Sequence, residues 1–255
     1  MAQNYNVAQT KEKNEIWAAV DRYVKEHLKA EGLADIAVST LQGKFLSLQC
    51  MALNAKNVLE VGTLGGYSSI WLASSGPEVK VTSVEVEAKN KAVADKAISN
   101  AGLSDRVDVL LGPGLEILPK VRKEVEAGDR PLFDFVFIDA DKQNNLNYLN
   151  EAVQMCRSRA VVVVDNVVRK GNVASAEAAS TDERVAGSRE VIEAAGAHPR
   201  LQSTVIQTVG EKNYDGFMLC VVKIEKAAVV QFKSQMRSKS NLGGGDRKSL
   251  EAFSS

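Results

Sequence analysis

Apolar residues recur along the chain with two different periods. Over 14–29, Ile16, Trp17, Val20, Tyr23, Val24 and Leu28 fall at helical spacing, and a second such pattern runs from about Thr40 to Leu53. From residue 57 the pattern changes to short, Val-rich apolar runs: NVLEV (57–61), KVTSVEV (80–86), RVDVLL (106–111), LFDFVFID (132–139) and AVVVVD (160–165). These read as strands. Helices are expected between them, over 67–75, 89–101, 114–126 and 145–156, and again over 182–195. Strands this apolar are buried on both faces, which predicts a mostly parallel sheet with helices on either side. Two further strand-like runs, LQSTVIQTV (201–209) and GFMLCVVKI (216–224), are joined by the turn-rich GEKNYDG and no helix. They are expected to form an antiparallel hairpin at one edge, because parallel strands need a long crossover. The fold class is α/β, Rossmann-like, with seven strands. Residues 1–225 are expected to form a single domain. The Gly-rich, aperiodic stretch SKSNLGGGDRKS marks 226–255 as a mobile extension.

Two of these strands end in a chemically loaded way. FIDADK closes the fourth with Asp139, Asp141 and Lys142, and VVVVDN closes the fifth with Asp165 and Asn166. A strand leaving a core needs one polar residue, not three charges. Asp139 and Asp165 fall at the carboxyl edge of the sheet, where α/β proteins bind ligands. Two carboxylates and an amide oxygen form a hard oxygen donor set that suits Mg²⁺. No sulfur or imidazole stands near them to favour zinc. Read blandly, they are two acids capping loops, and Lys142 is a strand-end cation paired with Asp139 or Asp141.

The first strand runs into EVGTLGGYS (60–68), a glycine-rich turn that opens a helix. Glycines allow a sharp turn and close ligand approach, and a helix start favours a negative group. The spacing Gly62, Gly65, Gly66 does not match the dinucleotide pattern GxGxxG. Glu85 ends the next strand, roughly 20 residues on, where an acid can accept from ribose hydroxyls; Glu87 is its rival. A ribose-bearing ligand without a pyrophosphate fits both features. S-adenosylmethionine is such a ligand, and Ser68 can donate to its carboxylate.

EVGTLGGYS, Glu85, LGPGLEILP, FDFVFIDADK, VVVVDNVVRKG and NYDGF occur in this order. Together they resemble the cation-dependent class I O-methyltransferases, the caffeoyl-CoA and catechol group, over about residues 10–225, and most nearly its small microbial members. The resemblance implies a class I methyltransferase fold and methyl transfer from S-adenosylmethionine to one hydroxyl of a vicinal-diol aromatic. It implies Asp139, Asp165 and Asn166 as ligands of Mg²⁺ or another divalent cation such as Mn²⁺ or Ca²⁺. Lys142 matches the residue that takes or steers the hydroxyl proton. Val38, Glu60, Gly62, Ser68, Glu85, Pro113, Gly114 and Asp139 match positions around the cofactor. Glu85 falls on the ribose, Pro113 and Gly114 border the adenine, and Val38 lies in a segment closing over the cofactor. The helical segment 10–54 is then a lid and a substrate or dimer element, and a homodimer is implied. Asp141 stands where mammalian catechol enzymes carry an aromatic residue, and Lys170 where many relatives carry an acid.

Composition narrows the partners. With Lys+Arg and Asp+Glu at 32 each, the net charge is zero and no global field points to nucleic acid or an anionic membrane. MAQNYNVAQTKEKNE lacks the apolar core of a signal peptide, and no apolar run approaches the roughly 20 residues of a membrane span. Cys50, Cys156 and Cys220 are isolated in apolar contexts, as reduced core thiols are, and a soluble cytoplasmic protein is expected. His27 and His198 have no metal-ligand neighbours and read as surface residues. Two rival functions are a nicotinamide-dependent dehydrogenase, which the glycine spacing disfavours, and a cofactor-binding module without turnover. The set Asp139, Lys142, Asp165, Asn166 disfavours the second.

Overall fold

A computed structural model describes Glu26 and residues 30–33, 36–209 and 214–224. The helix expected over 14–29 and the extension expected over 226–255 lie outside these, apart from Glu26. The described chain begins its regular structure with α1 (Thr40–Ala52), capped by the Ser39 hydroxyl accepting from the Gln42 amide. It continues as β1 (Asn57–Val61), α2 (Tyr67–Ala73), β2 (Lys80–Glu85), α3 (Ala88–Asn100), β3 (Val107–Leu111), α4 (Gly114–Ala127), β4 (Phe133–Ile138), α5 (Asn145–Met155) and β5 (Cys156–Asp165). Then follow α6 (Ala176–Thr181), α7 (Glu183–Ala197), β6 (Leu201–Val209) and β7 (Tyr214–Val222). Short 3-10 segments sit at Lys142–Asn144 and Arg169–Ala174.

The strands form one seven-stranded sheet in the order β3-β2-β1-β4-β5-β7-β6. Pairing is parallel from β3 through β5, and β7 runs antiparallel to both β5 and β6. The hairpin expected from the short turn is present, with its second strand inserted beside β5. Alternate residues of one strand enter opposite cores. Phe135 and Phe137 pack on one face with Leu46, Ile70 and Leu72, while Val136 and Ile138 pack on the other with Leu118 and Leu149. Two buried faces explain why the strands read as unbroken apolar runs.

The boundaries depart from expectation where the pattern is polar. β5 starts at Cys156, not at residue 160, because Phe133 pairs with Cys156 before the register shifts to Phe135 with Val161. Arg159 takes a left-handed conformation (φ 65°) in this irregular stretch. Asp134 anchors the same edge: its Oδ2 accepts from the amides of Lys56 (2.7 Å) and Asn57 (2.8 Å), and its Oδ1 from Arg157 Nε. Among the described residues no helix is long and apolar enough to cross a membrane.

Candidate active site

A cleft of about 740 Å³ opens at the carboxyl ends of β1, β2 and β4. One wall is the glycine-rich turn. Gly62 has φ 103°, and a Cβ there would overlap the carbonyl oxygen of Asp139, so only glycine lets the end of β1 lie against the end of β4. The Asp139 amide donates to the Val61 carbonyl across this contact (2.8 Å). Glu85 ties the turn to β2: its Oε2 accepts from the Leu64 amide (2.7 Å), and its Oε1 from the Glu87 amide (2.9 Å) and Asn90 Nδ2 (3.2 Å). Glu87 thus serves as a donor to Glu85 here. Ser68, Pro113, Gly114 and Val38 also line the cleft. α2 spans only seven residues, so its dipole is small, and the Ser68 hydroxyl near its start is engaged with Glu60.

Glu60 stands behind that wall, not on it. It is fully buried, and its Oε2 accepts from the hydroxyls of Ser69 and of Ser83 (2.6 Å). Thr63 Oγ1 and Ser83 Oγ lie 2.5 Å apart beside them. Burial pushes the Glu60 carboxyl up to about 7 against these hydroxyls and that of Ser68. Its Oε1 has no hydrogen-bond partner among the described residues. From this place Glu60 can position the turn, through the serines, rather than touch a ligand in the cleft.

The second wall carries the charged cluster. Lys142, nearly fully buried, donates from Nζ to Asp139 Oδ1 at 2.5 Å. Asp165 is buried alongside without lining the cleft, and Asn166, in a left-handed conformation (φ 58°), lines the cleft. Burial pushes the Asp165 carboxyl up to about 7; the Asp139 charge adds to this, while Lys142, the Asn166 amide and the Gln42 side chain oppose it. Two carboxylates therefore share a buried space with a single ammonium, and a cation between them would remove their mutual penalty. The set contains only two acids, so among the described residues no group of three His, Cys, Asp or Glu side chains forms a metal cage. Two carboxylates and the Asn166 amide oxygen fit a hard cation that keeps several of its waters, as Mg²⁺ does.

Further contacts brace this wall. Asp141 accepts from Tyr148 Oη (2.5 Å) and from Asn144 Nδ2 (2.5 Å), which braces the 3-10 turn holding Lys142. Tyr148 packs against Gly114, joining this brace to the start of α4, and burial followed by Asp141 raises its hydroxyl well above the ordinary phenol range. Gly187 of α7 abuts the Lys142 turn, since a Cβ there would overlap the Lys142 carbonyl oxygen. Arg169 and Arg184 complete the far end of the cleft. His198 is half-buried, its Nδ1 accepting from the Arg200 amide at 3.1 Å, so it caps a turn instead of standing free on the surface.

A glycine-turn cleft on a sheet of this order, with an acid on the second strand and an Asp–Lys–Asp cluster on the fourth and fifth, defines a class I methyltransferase. Residues 11–223 match the family model described as O-methyltransferase, and the chain belongs to that family. It is 46% identical over 195 residues to the catechol O-methyltransferase of Mycobacterium tuberculosis, covering 76% of this chain and 84% of that one. It is 40% identical over 225 residues to O-methyltransferase imqG of Aspergillus flavus, covering 81% and 91%. The crystal structure of an O-methyltransferase from Bacillus cereus in complex with SAH superposes with a TM-score of 0.77 at 40% identity, covering 88% of this chain and 98% of that one.

Proposed function

We propose that the chain transfers the methyl group of S-adenosylmethionine to one hydroxyl of a vicinal-diol aromatic of catechol, caffeoyl or flavonoid type, with Mg²⁺ or another divalent cation. The observation that carries this reading is the meeting of Asp139, Lys142 and Asp165 at the edge of the glycine-turn cleft. The relative from Bacillus cereus that holds SAH, the demethylated donor, supports the choice of cofactor.

In this reading Glu85 accepts from the ribose, Pro113 and Gly114 border the adenine, and Ser68 and the Gly62 turn face the methionine end, with Val38 above. Asp139, Asp165 and Asn166 hold the cation, which, when bound, lowers the pKa of a coordinated hydroxyl. Lys142, buried and hydrogen-bonded to Asp139, is placed to take the hydroxyl proton at Nζ when it stands as the neutral amine. The phenolate oxygen then bonds to the methyl carbon, and the carbon–sulfur pair leaves with sulfur as a neutral thioether. The walls hold donor and acceptor in line, an effect worth up to roughly 7–11 kcal/mol. A homodimer in the cytoplasm, with neither nucleic acid nor membrane as partner, completes the reading. Light scattering on the purified protein tests the dimer.

The test is methyl transfer to a panel of vicinal diols, with added Mg²⁺ compared against EDTA. Metal-dependent methylation is expected. Undiminished activity in EDTA would overturn the cation's role, and no methylation of any diol, with SAH still bound by calorimetry, would overturn the acceptor class.

A further inference from the structure

Of the two guanidinium groups on the cleft, Arg184 is paired with Asp182 and Arg169 has no carboxylate partner among the described residues. Arg169 lines the cleft three residues after Asn166. Its Nε is buried and has no hydrogen-bond partner among the described residues. The other cations on the wall are engaged: Lys142 by Asp139, and Arg184 by Asp182, with Nε–Oδ1 at 3.2 Å and Nη2–Oδ2 at 3.1 Å. A buried donor left unpaired is costly, and an anion that pairs with the rest of the guanidinium from the cleft would offset that cost.

The backbone beneath Arg169 is fixed. Arg169 (φ 53°) and Lys170 (φ 57°) both take left-handed conformations that non-glycine residues seldom adopt. Asp215 Oδ1 holds them there, accepting from the amides of Val168 (3.2 Å), Arg169 (2.9 Å) and Gly216 (2.9 Å). The NYDGF motif thus sets the position of the guanidinium from the hairpin.

The order β2-β1-β4-β5 sets Glu85, Gly62, Asp139 and Asp165 in a row, on strands about 4.8 Å apart. The donor's groups belong to the β2 and β1 end. Arg169 follows β5, on the far side of Asp139 and Lys142, which is the acceptor's side.

We propose that Arg169 is the anion anchor of the acceptor site, so that the preferred acceptor is a vicinal-diol aromatic acid whose carboxylate pairs with this guanidinium. The inference rests on the acceptor reading given above. A planar guanidinium fork matches a carboxylate bidentately; it also takes phosphate, which a coenzyme A thioester would bring.

The experiment measures kcat/KM for caffeate, caffeamide, caffeoyl-CoA and unsubstituted catechol in the wild type, Arg169→Gln and Arg169→Lys. Caffeate is expected to exceed caffeamide by tenfold or more in the wild type, through KM. The ratio should fall to near one in Arg169→Gln and stay intermediate in Arg169→Lys. The ratio is internal to each preparation, so partial misfolding lowers both numbers and leaves it readable. Methylation of catechol with no preference for the acid, or a preference that survives in Arg169→Gln, overturns the proposal alone. A preference for caffeoyl-CoA over both, lost in Arg169→Gln, assigns the anion to phosphate and overturns the carboxylate. No methylation of any member, catechol included, overturns the acceptor reading and this inference with it.

Discussion

Two carboxyls near the cleft are pushed up to about 7, each chiefly by burial, but the consequences differ. Asp165 faces a second carboxylate, so Asp165→Asn removes a charge that the site needs only when it holds a cation. Turnover should fall by about 100-fold or more, the scale on which loss of a charge-stabilising group acts. SAH affinity, which the proposed reading assigns to β1, β2 and the start of α4, should change by less than about threefold. In EDTA the variant should be no less stable than the wild type, because the like-charge conflict is gone. Near-normal turnover would remove Asp165 from the mechanism. Glu60 answers to pH instead. Its native pKa lies above its ordinary 4.5, so between about 4.5 and about 7 the native state holds a proton that the unfolded chain has released. Its contribution to stability is therefore full below about 4.5 and is lost as pH rises to about 7. Urea denaturation in EDTA at pH 5 and pH 8 should show the wild type losing ground to Glu60→Gln by at most about 3 kcal/mol. Parallel stability curves for the two proteins would show that Glu60 titrates normally.

At the scale of elements, what positions Lys142 is a helix as much as its own strand. α7 comes close enough to touch the Lys142 and Gln143 backbone only because residue 187 is glycine: a Cβ would sit 2.7 Å from the Gln143 Cα. Alanine at 187 should favour the helix by up to about 1 kcal/mol on propensity alone. The overlap is with backbone, which cannot rotate away, so sterics should win and shift the turn. We expect Gly187→Ala to lower kcat about 10- to 100-fold with SAH affinity nearly unchanged; a wild-type kcat would show that the turn is set by β4 alone. At the opposite edge, Asp134→Ala strands the amides of Lys56 and Asn57 and frees Arg157. A loss of about 2–4 kcal/mol in urea denaturation is expected, with little change in KM because the cleft lies at the other end of the strands. These elements differ in how far they were readable. The strands of the parallel core were legible because both faces are buried, so their apolar runs end where the sheet ends. The start of β5 was not, since Arg157, Ser158 and Arg159 are polar and pairing there is carried by a register shift. Nor was the turn after Asn166, where Arg169 and Lys170 adopt conformations that a glycine would have announced.

For the whole molecule, the site was legible to the extent that it sits on strand ends. Gly62, Glu85, Asp139, Lys142 and Asn166 each follow an apolar run, and the parallel order brings them to one edge. Gln42, Tyr148 and Gly187 were not legible, because what brings them in is helix packing, which leaves no mark on their own neighbours in sequence. The cysteines show the complementary case, in which an apolar context correctly signalled burial. Cys50, Cys156 and Cys220 are all free and buried, and burial pushes each thiol up to about 12. Thiolate is the reactive form, so at pH 8 native protein has about one part in 10,000 of each thiol in that form, by the unit-per-decade relation between pH and pKa. They lie in the two cores on opposite faces of the sheet, Cys50 on one and Cys156 and Cys220 on the other. No local opening of one layer exposes all of them, so their labelling should report global unfolding. With a thiol-specific chromophoric disulfide at pH 8, native protein should show no fast reaction, and denatured protein should react at all three cysteines at once. Adding SAH should slow the native reaction further by stabilising the folded state. A single rapidly labelled cysteine in the native protein would mean that one core opens independently of the other.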